Sequence, residues 1–373
     1  MISLVGYEWK AAQTKQVAYL ATDRHIHELY VPLGGNWAHA DLTGLTGAPL
    51  ASGGVGGYEW DARQSKQVVY TTADGHIHEL YVPLGGKWAH ADLTGLTGAP
   101  PAFYPPAVFA GYQWIAGKTK QVAFLAGYGG EFKVSVRELY VAQGESWLYH
   151  DLSNLLSGPL SAGAPITGYG WDAGKTKQVA YMAADGHIHE LYVPLGGSWA
   201  HADWTQLTSA PLASGGIGGY EWDAGQSKQV VYTTADGHIH ELYVPLGGKW
   251  AHADLTQRTS APPVSYESFL AAYQWDAGKS KQVVYMTADG HIHELYVPLG
   301  GSWAHADLTG LTGAPPGLGP SILAGYQWTA GVTKQVVYGT PDGDIHELYL
   351  PPGGSWKHAD LTKITSGPPL LIW

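Results

Sequence analysis

Seven glutamates recur at one position along the chain, Glu28, Glu79, Glu138, Glu190, Glu241, Glu294 and Glu347, each followed by Leu-Tyr. Seven tryptophans follow a Gly-Gly turn or its equivalent: Trp37, Trp88, Trp147, Trp199, Trp250, Trp303 and Trp356. Gln16, Gln67, Gln178, Gln229, Gln282 and Gln335 recur likewise, each preceded by Lys, with Gln121 holding the position in the third repeat. A carboxylate accepts hydrogen bonds, an amide both donates and accepts, and an indole offers a flat apolar face with one N–H to donate. Together these groups can grip a polyol: the ring C–H face stacks on Trp and the hydroxyls bond to Glu and Gln. The competing reading makes each glutamate structural, bonded to a backbone N–H or a lysine, because a carboxylate on a packed face needs a partner. The glutamines equally suit strand-end capping.

Histidine forms a further pattern. His25 and His27, His76 and His78, His187 and His189, His238 and His240, and His291 and His293 are His-x-His pairs, while His39, His90, His201, His252, His305 and His358 sit before Ala-Asp. Residues two apart on a strand share a face, so His76 and His78 could chelate zinc given a third ligand. The pattern breaks at Asp344 and is lost in the third repeat. The expected role is therefore a polar lining that hydrogen-bonds ligand or carboxylates such as Asp92, with no metal and no cofactor.

The elements that must position these groups follow from a repeat. A Gly-Tyr-x-Trp motif or close variant ends in Trp9, Trp60, Trp114, Trp171, Trp222, Trp275 and Trp328, at spacings of 51, 54, 57, 51, 53 and 53 residues. Such periods point to propeller blades. In the second repeat, Gly57 to Trp60 opens a first strand and Asp61 to Lys66 is a turn. Gln67 to Thr72 is a second strand, with Asp74-Gly75 signalling a type I′ hairpin. His76 to Val82 is a third strand, and Trp88 to Thr94 a fourth. The expected fold is all-β: a seven-bladed β-propeller with four antiparallel strands per blade. It forms one domain over residues 1–373, with repeats of roughly 1–51, 52–105, 106–162, 163–213, 214–266, 267–319 and 320–373. Ring closure accounts for the lack of polar capping repeats that an open solenoid would need. The apolar tail Leu370 to Trp373 is expected against the first blade near Ile2 and Leu4. The GYxW tryptophans are expected in blade packing. The third blade, with a swollen hairpin from Gly127 to Ser135, is the one expected to be altered or inactive.

Composition narrows the function. A net charge of −11 with thinly spread Lys and Arg argues against nucleic acid. The apolar runs are too short for membrane insertion. The absence of cysteine excludes disulfides without fixing a compartment. The N-terminus, MISLVGYEW, has no basic region or cleavage site, so the expectation is a cytoplasmic protein or one released without a leader.

The string Val68-Val69-Tyr70, Asp74-Gly75, Ile77-His78-Glu79 and Trp88 resembles the repeat of the fucose-binding propeller lectins, the Aleuria-type group and the related seven-bladed Photorhabdus-type lectins. That resemblance implies a sugar clasped between blades by an Arg on the second strand, the Glu on the third and a Trp or Tyr. The Glu and Trp positions carry over in every repeat. The Arg does not, its place falling at Val68 or Gln67. The expected function is a multivalent carbohydrate-binding lectin for fucose or a related monosaccharide. Glycans are its partners, homo-oligomers remain open, and the listed Glu, Trp and Gln residues form its sites. The alternative is a protein-interaction scaffold without sugar binding. An enzyme is disfavoured, because an active site is built once from unlike residues and every candidate acid here is repeated.

Overall fold

A computed structural model describes residues 4–102, 109–128, 133–265, 269–318 and 323–372. The fold is all-β. Its strands pair antiparallel in consecutive sets of four within residues 4–46, 53–97, 109–156, 161–208, 215–259, 271–312 and 323–365, here units 1 to 7. Five sets are separate four-stranded sheets. Those of units 3 and 4 merge into one eight-stranded sheet through the bridge Val134–Ser161. Among the described residues no helix is long and apolar enough to cross a membrane.

Unit 2 shows how the sequence builds one set. Its strands are Gly53–Trp60, Ser65–Thr71, Ile77–Pro83 and Ala89–Asp92. The GYxW motif thus closes the first strand rather than opening it. The fourth strand is also shorter than expected, because the chain turns at Asp92 into a one-turn helix, Leu93–Thr97. The Asp92 carboxylate caps that helix by accepting from Gly95 N at 2.8 Å, and left-handed Gly98 ends it. The Asp74-Gly75 hairpin is not type I′. Gly75 has φ +80° while Asp74 is absent from the left-handed region, and Gly75 N bonds Thr72 O at 2.9 Å. This is a type I turn followed by one left-handed residue, a three-residue hairpin loop. The tip of the third unit's swollen hairpin, 129–132, lies outside the described residues.

Adjacent units pack face to face. Between units 1 and 2, Tyr7, Ala18 and Leu20 meet Val68, Tyr70 and Leu80, all buried. The first strands line the middle of the assembly, where backbone and ring approach closely: a Cβ on Gly57 would stand 2.5 Å from the Tyr7 ring. Gly6 meets Tyr326 of unit 7 in the same way, at 2.2 Å. The segments between units repeat as closely. Ala51 N bonds Arg24 O and Ser52 N bonds Thr71 O of the following unit, at 3.0 and 2.8 Å. After unit 7, Leu370 N bonds Gly343 O and Leu371 N bonds Leu20 O of unit 1, both at 2.9 Å. The tail thus reaches unit 1 beside Leu4, as its apolar character suggested; Ile2 and Trp373 lie outside the described residues.

The third residue of GYxW fastens neighbouring first strands at the inner edge. Glu59 accepts from Lys10 N at 2.8 Å and Glu221 from Asp172 N at 2.7 Å. Gln113, Gln274 and Gln327 accept equivalent amides at 2.8, 2.7 and 2.8 Å. Burial pushes the Glu59 carboxyl up to about 7 and the Glu221 carboxyl up to about 8.

A carboxyl raised on folding binds its proton more tightly in the folded chain, so its contribution is full at low pH and lost as pH rises through the folded value. Stability should therefore fall between about 4.5 and about 8 on account of Glu221. Glu221→Gln keeps the accepting oxygen, as three other units do, and should melt above the parent by a margin that widens across that window. A margin independent of pH in thermal melts would refute the assignment.

Candidate functional site

Strand alternation sends Glu28 and Tyr30 toward unit 2 and Lys66 of unit 2 back toward unit 1. The result is a buried ion pair between units, Lys66 Nζ donating to Glu28 Oε2 at 2.6 Å, while Tyr7 OH donates to the other carboxylate oxygen at 3.0 Å. The same pair joins every neighbouring unit: Lys120–Glu79, Lys177–Glu138, Lys228–Glu190 and Lys281–Glu241 at 2.6 Å, Lys334–Glu294 at 2.7 Å, and Lys15 of unit 1 with Glu347 of unit 7 at 2.6 Å. The glutamates are at most 1% exposed. Burial pushes Lys66 below, and the Tyr7 phenol well above, their ordinary values.

Each ammonium is ringed by aromatics. Lys66 Nζ stands 5.3 Å from the Trp9 ring centre, 5.6 Å from Tyr30 and 5.1 Å from Trp88. Cation–π attraction worth roughly 0.5–2 kcal/mol offsets part of the ammonium's desolvation. Above the pair a cleft of about 660 Å³ opens, walled by Trp9, Tyr30 and Trp88 and rimmed by Leu45 and Leu84. Clefts of about 550, 690 and 430 Å³ hold the same groups between units 2 and 3, 5 and 6, and 6 and 7.

The lining carries unspent hydrogen-bonding capacity. Every GYxW indole N–H, from Trp9 to Trp328, is buried and finds no partner within the protein, and neither does the carbonyl oxygen of the Gln that follows each lysine. The other end of the Gln67 amide is fixed by Ser65 Oγ at 2.7 Å. In the cleft between units 2 and 3, Trp60, Gln67, Glu79, Lys120 and Trp147 line one space, with these unpartnered atoms buried just beneath its surface.

The structure regroups the sequence's candidates. Glu, Gln and the GYxW tryptophan come from one unit, but the turn-adjacent tryptophan comes from the next. Glu28 shares its cleft with Trp88, not Trp37, and Glu347 shares with Trp37. These tryptophans are half-buried, as their place after a turn suggested. The GYxW tryptophans pack between units as expected, yet also line the clefts. A lysine partner for each glutamate is what the competing reading required, and the structure supplies it; the sequence does not single out those lysines, the Tyr30-type tyrosines or the helix leucines as cleft members. Lysine before every glutamine was the available signal: it supplies the cation where the resemblance implies an arginine at Val68 or Gln67.

Two clefts differ. In unit 3, His150 pairs across the ladder with Glu138 where other units have alanine, and its Nε2 lies 3.3 Å from Tyr140 OH. In unit 4, Trp204 replaces the first helical leucine and stacks on Trp250 at 3.8 Å between ring centres. The His-x-His pairs sit at the hairpin end of the strands, outside the clefts. His76 Nδ1 bonds Asp92 Oδ2 at 2.9 Å, one of the carboxylate contacts anticipated, and His78 Nδ1 lies 2.7 Å from His90 Nε2.

No protein-family model matches the chain, and no curated protein sequence does. Solved structures do. The fold is similar to that of the BP39L lectin from Burkholderia pseudomallei, at 16% identity and a TM-score of 0.66, covering 95% of this chain and 97% of that one. It is also similar to a fungal lectin from Aleuria aurantia, described as a six-bladed β-propeller with a novel fucose recognition mode. That match has 16% identity and a TM-score of 0.56, covering 81% and 93%. A third is the SapL1 lectin in complex with alpha methyl fucoside, at 17% identity and a TM-score of 0.56, covering 85% and 96%.

Removing one member of a buried ion pair strands the other, which typically costs about 3–5 kcal/mol. Lys66→Met should lose stability on that scale in denaturant unfolding, and adding Glu28→Gln should recover much of it. A single variant as stable as the parent would show that Glu28 does not depend on Lys66.

Proposed function

We propose that the chain is a multivalent carbohydrate-binding lectin, a single seven-bladed propeller domain over residues 1–373 with a sugar cleft at each junction between blades. The observation that carries this reading is the aromatic-walled cleft repeated between units, with an unpartnered indole N–H and amide oxygen buried beside each Lys–Glu pair. A pyranose offers what they lack: hydroxyls that donate and accept at once, and a C–H face that stacks on the Trp88-type indole. The turn-adjacent tryptophans wall the sugar site, and the seven glutamates with the glutamines, lysines and GYxW indoles form its polar base beneath them.

Fucose, or a related deoxy sugar, is the monosaccharide class of choice. The Aleuria lectin structure is described with a fucose recognition mode and the SapL1 lectin structure holds alpha methyl fucoside. The rim leucines, Leu45 at 63% exposure and Leu84 at 48%, suit a sugar carrying a methyl group. Lysine takes the part of the arginine implied by the resemblance. One cleft holds a monosaccharide weakly, since few atoms bear the loss of freedom on binding. Several clefts on one rigid body multiply avidity for a glycan-coated surface. Catalysis fits poorly: each glutamate is neutralised by a lysine and buried, whereas a glycosidase needs two carboxylates in unlike states about 5 Å or more apart.

The test combines a glycan array with calorimetry of methyl fucoside binding to the full chain. Trp88→Ala should lower the stoichiometry by one and leave the ion pair intact. Failure to bind any glycan, or binding undiminished when all seven turn-adjacent tryptophans are replaced, would overturn the proposal in favour of a scaffold that engages protein partners.

A further inference from the structure

The histidine face is the chemistry the sugar clefts leave unused. His187 and His189 alternate with Ile188, which is buried, and Glu190, so both imidazoles lie on the sheet face opposite the carboxylate that pairs with Lys228. Two ligands from one strand are too few for a metal. The fold supplies the rest. The fourth strand sets Asp203 opposite His189 and His201 opposite Leu191. Asp203 Oδ2 then holds His187 Nδ1 at 2.7 Å, and His201 Nε2 lies 2.8 Å from His189 Nδ1. Each imidazole is therefore oriented through one nitrogen and offers the other, the outer arrangement that fixes histidine ligands in metal sites.

In units 2, 5 and 6 the carboxylate grouped with the two imidazoles is the fourth-strand aspartate, already bonded to the first of them; in units 1 and 4 a substitution in the hairpin brings in a different carboxylate. In units 2, 5, 6 and 7 a threonine hydroxyl donates to the hairpin aspartate, as Thr72 does to Asp74 at 2.5 Å. Units 1 and 4 have Ala21 and Ala183 at that position, so Asp23 and Asp185 are released toward the imidazoles. Asp23 Oδ2 reaches His27 Nε2 at 3.1 Å. In unit 4 one ligand atom each from Asp185, His187 and His189 lies within 4.8 Å of the others. His189 is 4% exposed, and its Nε2 finds no partner within the protein. A buried imidazole nitrogen without a partner, beside a second imidazole and a carboxylate, lacks only a cation.

We propose that the hairpin clusters Asp185–His187–His189 and Asp23–His25–His27 each bind a divalent transition cation of the zinc class. Two imidazoles and a carboxylate form a common three-ligand set for zinc, with ligand distances of about 2.0–2.2 Å and a fourth position open to water. The present spacing requires only a modest inward closing of side chains. Asp185 is exposed and the imidazole of His187 half-exposed, so an ion can enter without unfolding the unit. Unit 3 builds no such site: Ser135 and Arg137 replace the imidazoles, and the guanidinium is bonded to Asp151 at 3.1 Å. These clusters lie at the hairpin end of the strands, whereas Lys177 and the cleft groups lie at the other end, so the proposal stands or falls independently of sugar binding.

The experiment titrates zinc into the chelator-stripped full chain by calorimetry and counts the zinc retained after gel filtration. The expected result is binding at these clusters. Asp185→Asn should weaken the unit 4 site by at least the roughly 10–100-fold that loss even of an outer partner brings. His187→Ala should lower the count by one without altering the circular dichroism spectrum. Adding Asp23→Asn should weaken the unit 1 site as well. No retained zinc in the parent, or a count and affinity unchanged in folded Asp185→Asn and His187→Ala chains, would overturn the proposal.

Discussion

The structure depends on a charge pair that crosses from each unit to the next. Lys66 and Glu28 are 38 residues apart, both nearly dry, and neither could be buried alone. Their mutual attraction, a tyrosine hydroxyl and an aromatic cage around the ammonium together make burial tolerable. The pair is also directional, with the lysine always facing back and the glutamate always facing forward. A unit carrying one group on each face in that order accepts only neighbours of the same design. Apolar packing alone would not impose that register.

The clefts are a by-product of the same construction. Each unit buries its first three strands against the next, but the fourth strand has only four residues before the chain turns into the capped helix. Toward that outer edge the sheets no longer meet. The cage that shields the ammonium inside becomes, one layer out, an aromatic wall facing open space. Polar atoms that packing could not satisfy, the indole N–H and the amide oxygen, are left at its floor. Stability and ligand capacity thus draw on the same residues, and their repetition follows from the repetition of the joint.

Repetition also governed what could be read in advance. The all-β architecture, the four-strand units and the recurrent Glu, Trp and Gln were legible because spacing and alternation are properties of a line. Contacts between units are not. The assignment of Trp88 to Glu28 rather than Glu79 arises from packing across a joint, so it escaped. A lysine could be foreseen as the partner of each glutamate, but not which one, because the pair crosses a joint and a lysine near a turn ordinarily sits in water. The helix at 93–97 escaped because Leu-Thr-Gly-Leu-Thr has weak helical propensity and owes its existence to the Asp92 cap. The histidines were recognised as a pattern, but their third partner was concealed by an alanine whose importance lies in the hydroxyl it lacks.

The linkers carry a further implication. The bonds that Leu370 and Leu371 make to Gly343 and Leu20 duplicate those made at internal junctions, such as Val264 and Ser265 with Gly237 and Met286. The chain's two ends therefore come together at a joint of ordinary design, so the architecture has no privileged first member. A circularly permuted chain, cut at another linker and joined between units 7 and 1, would keep the same neighbours. Chain order would then be one of several equivalent choices rather than a feature the architecture requires.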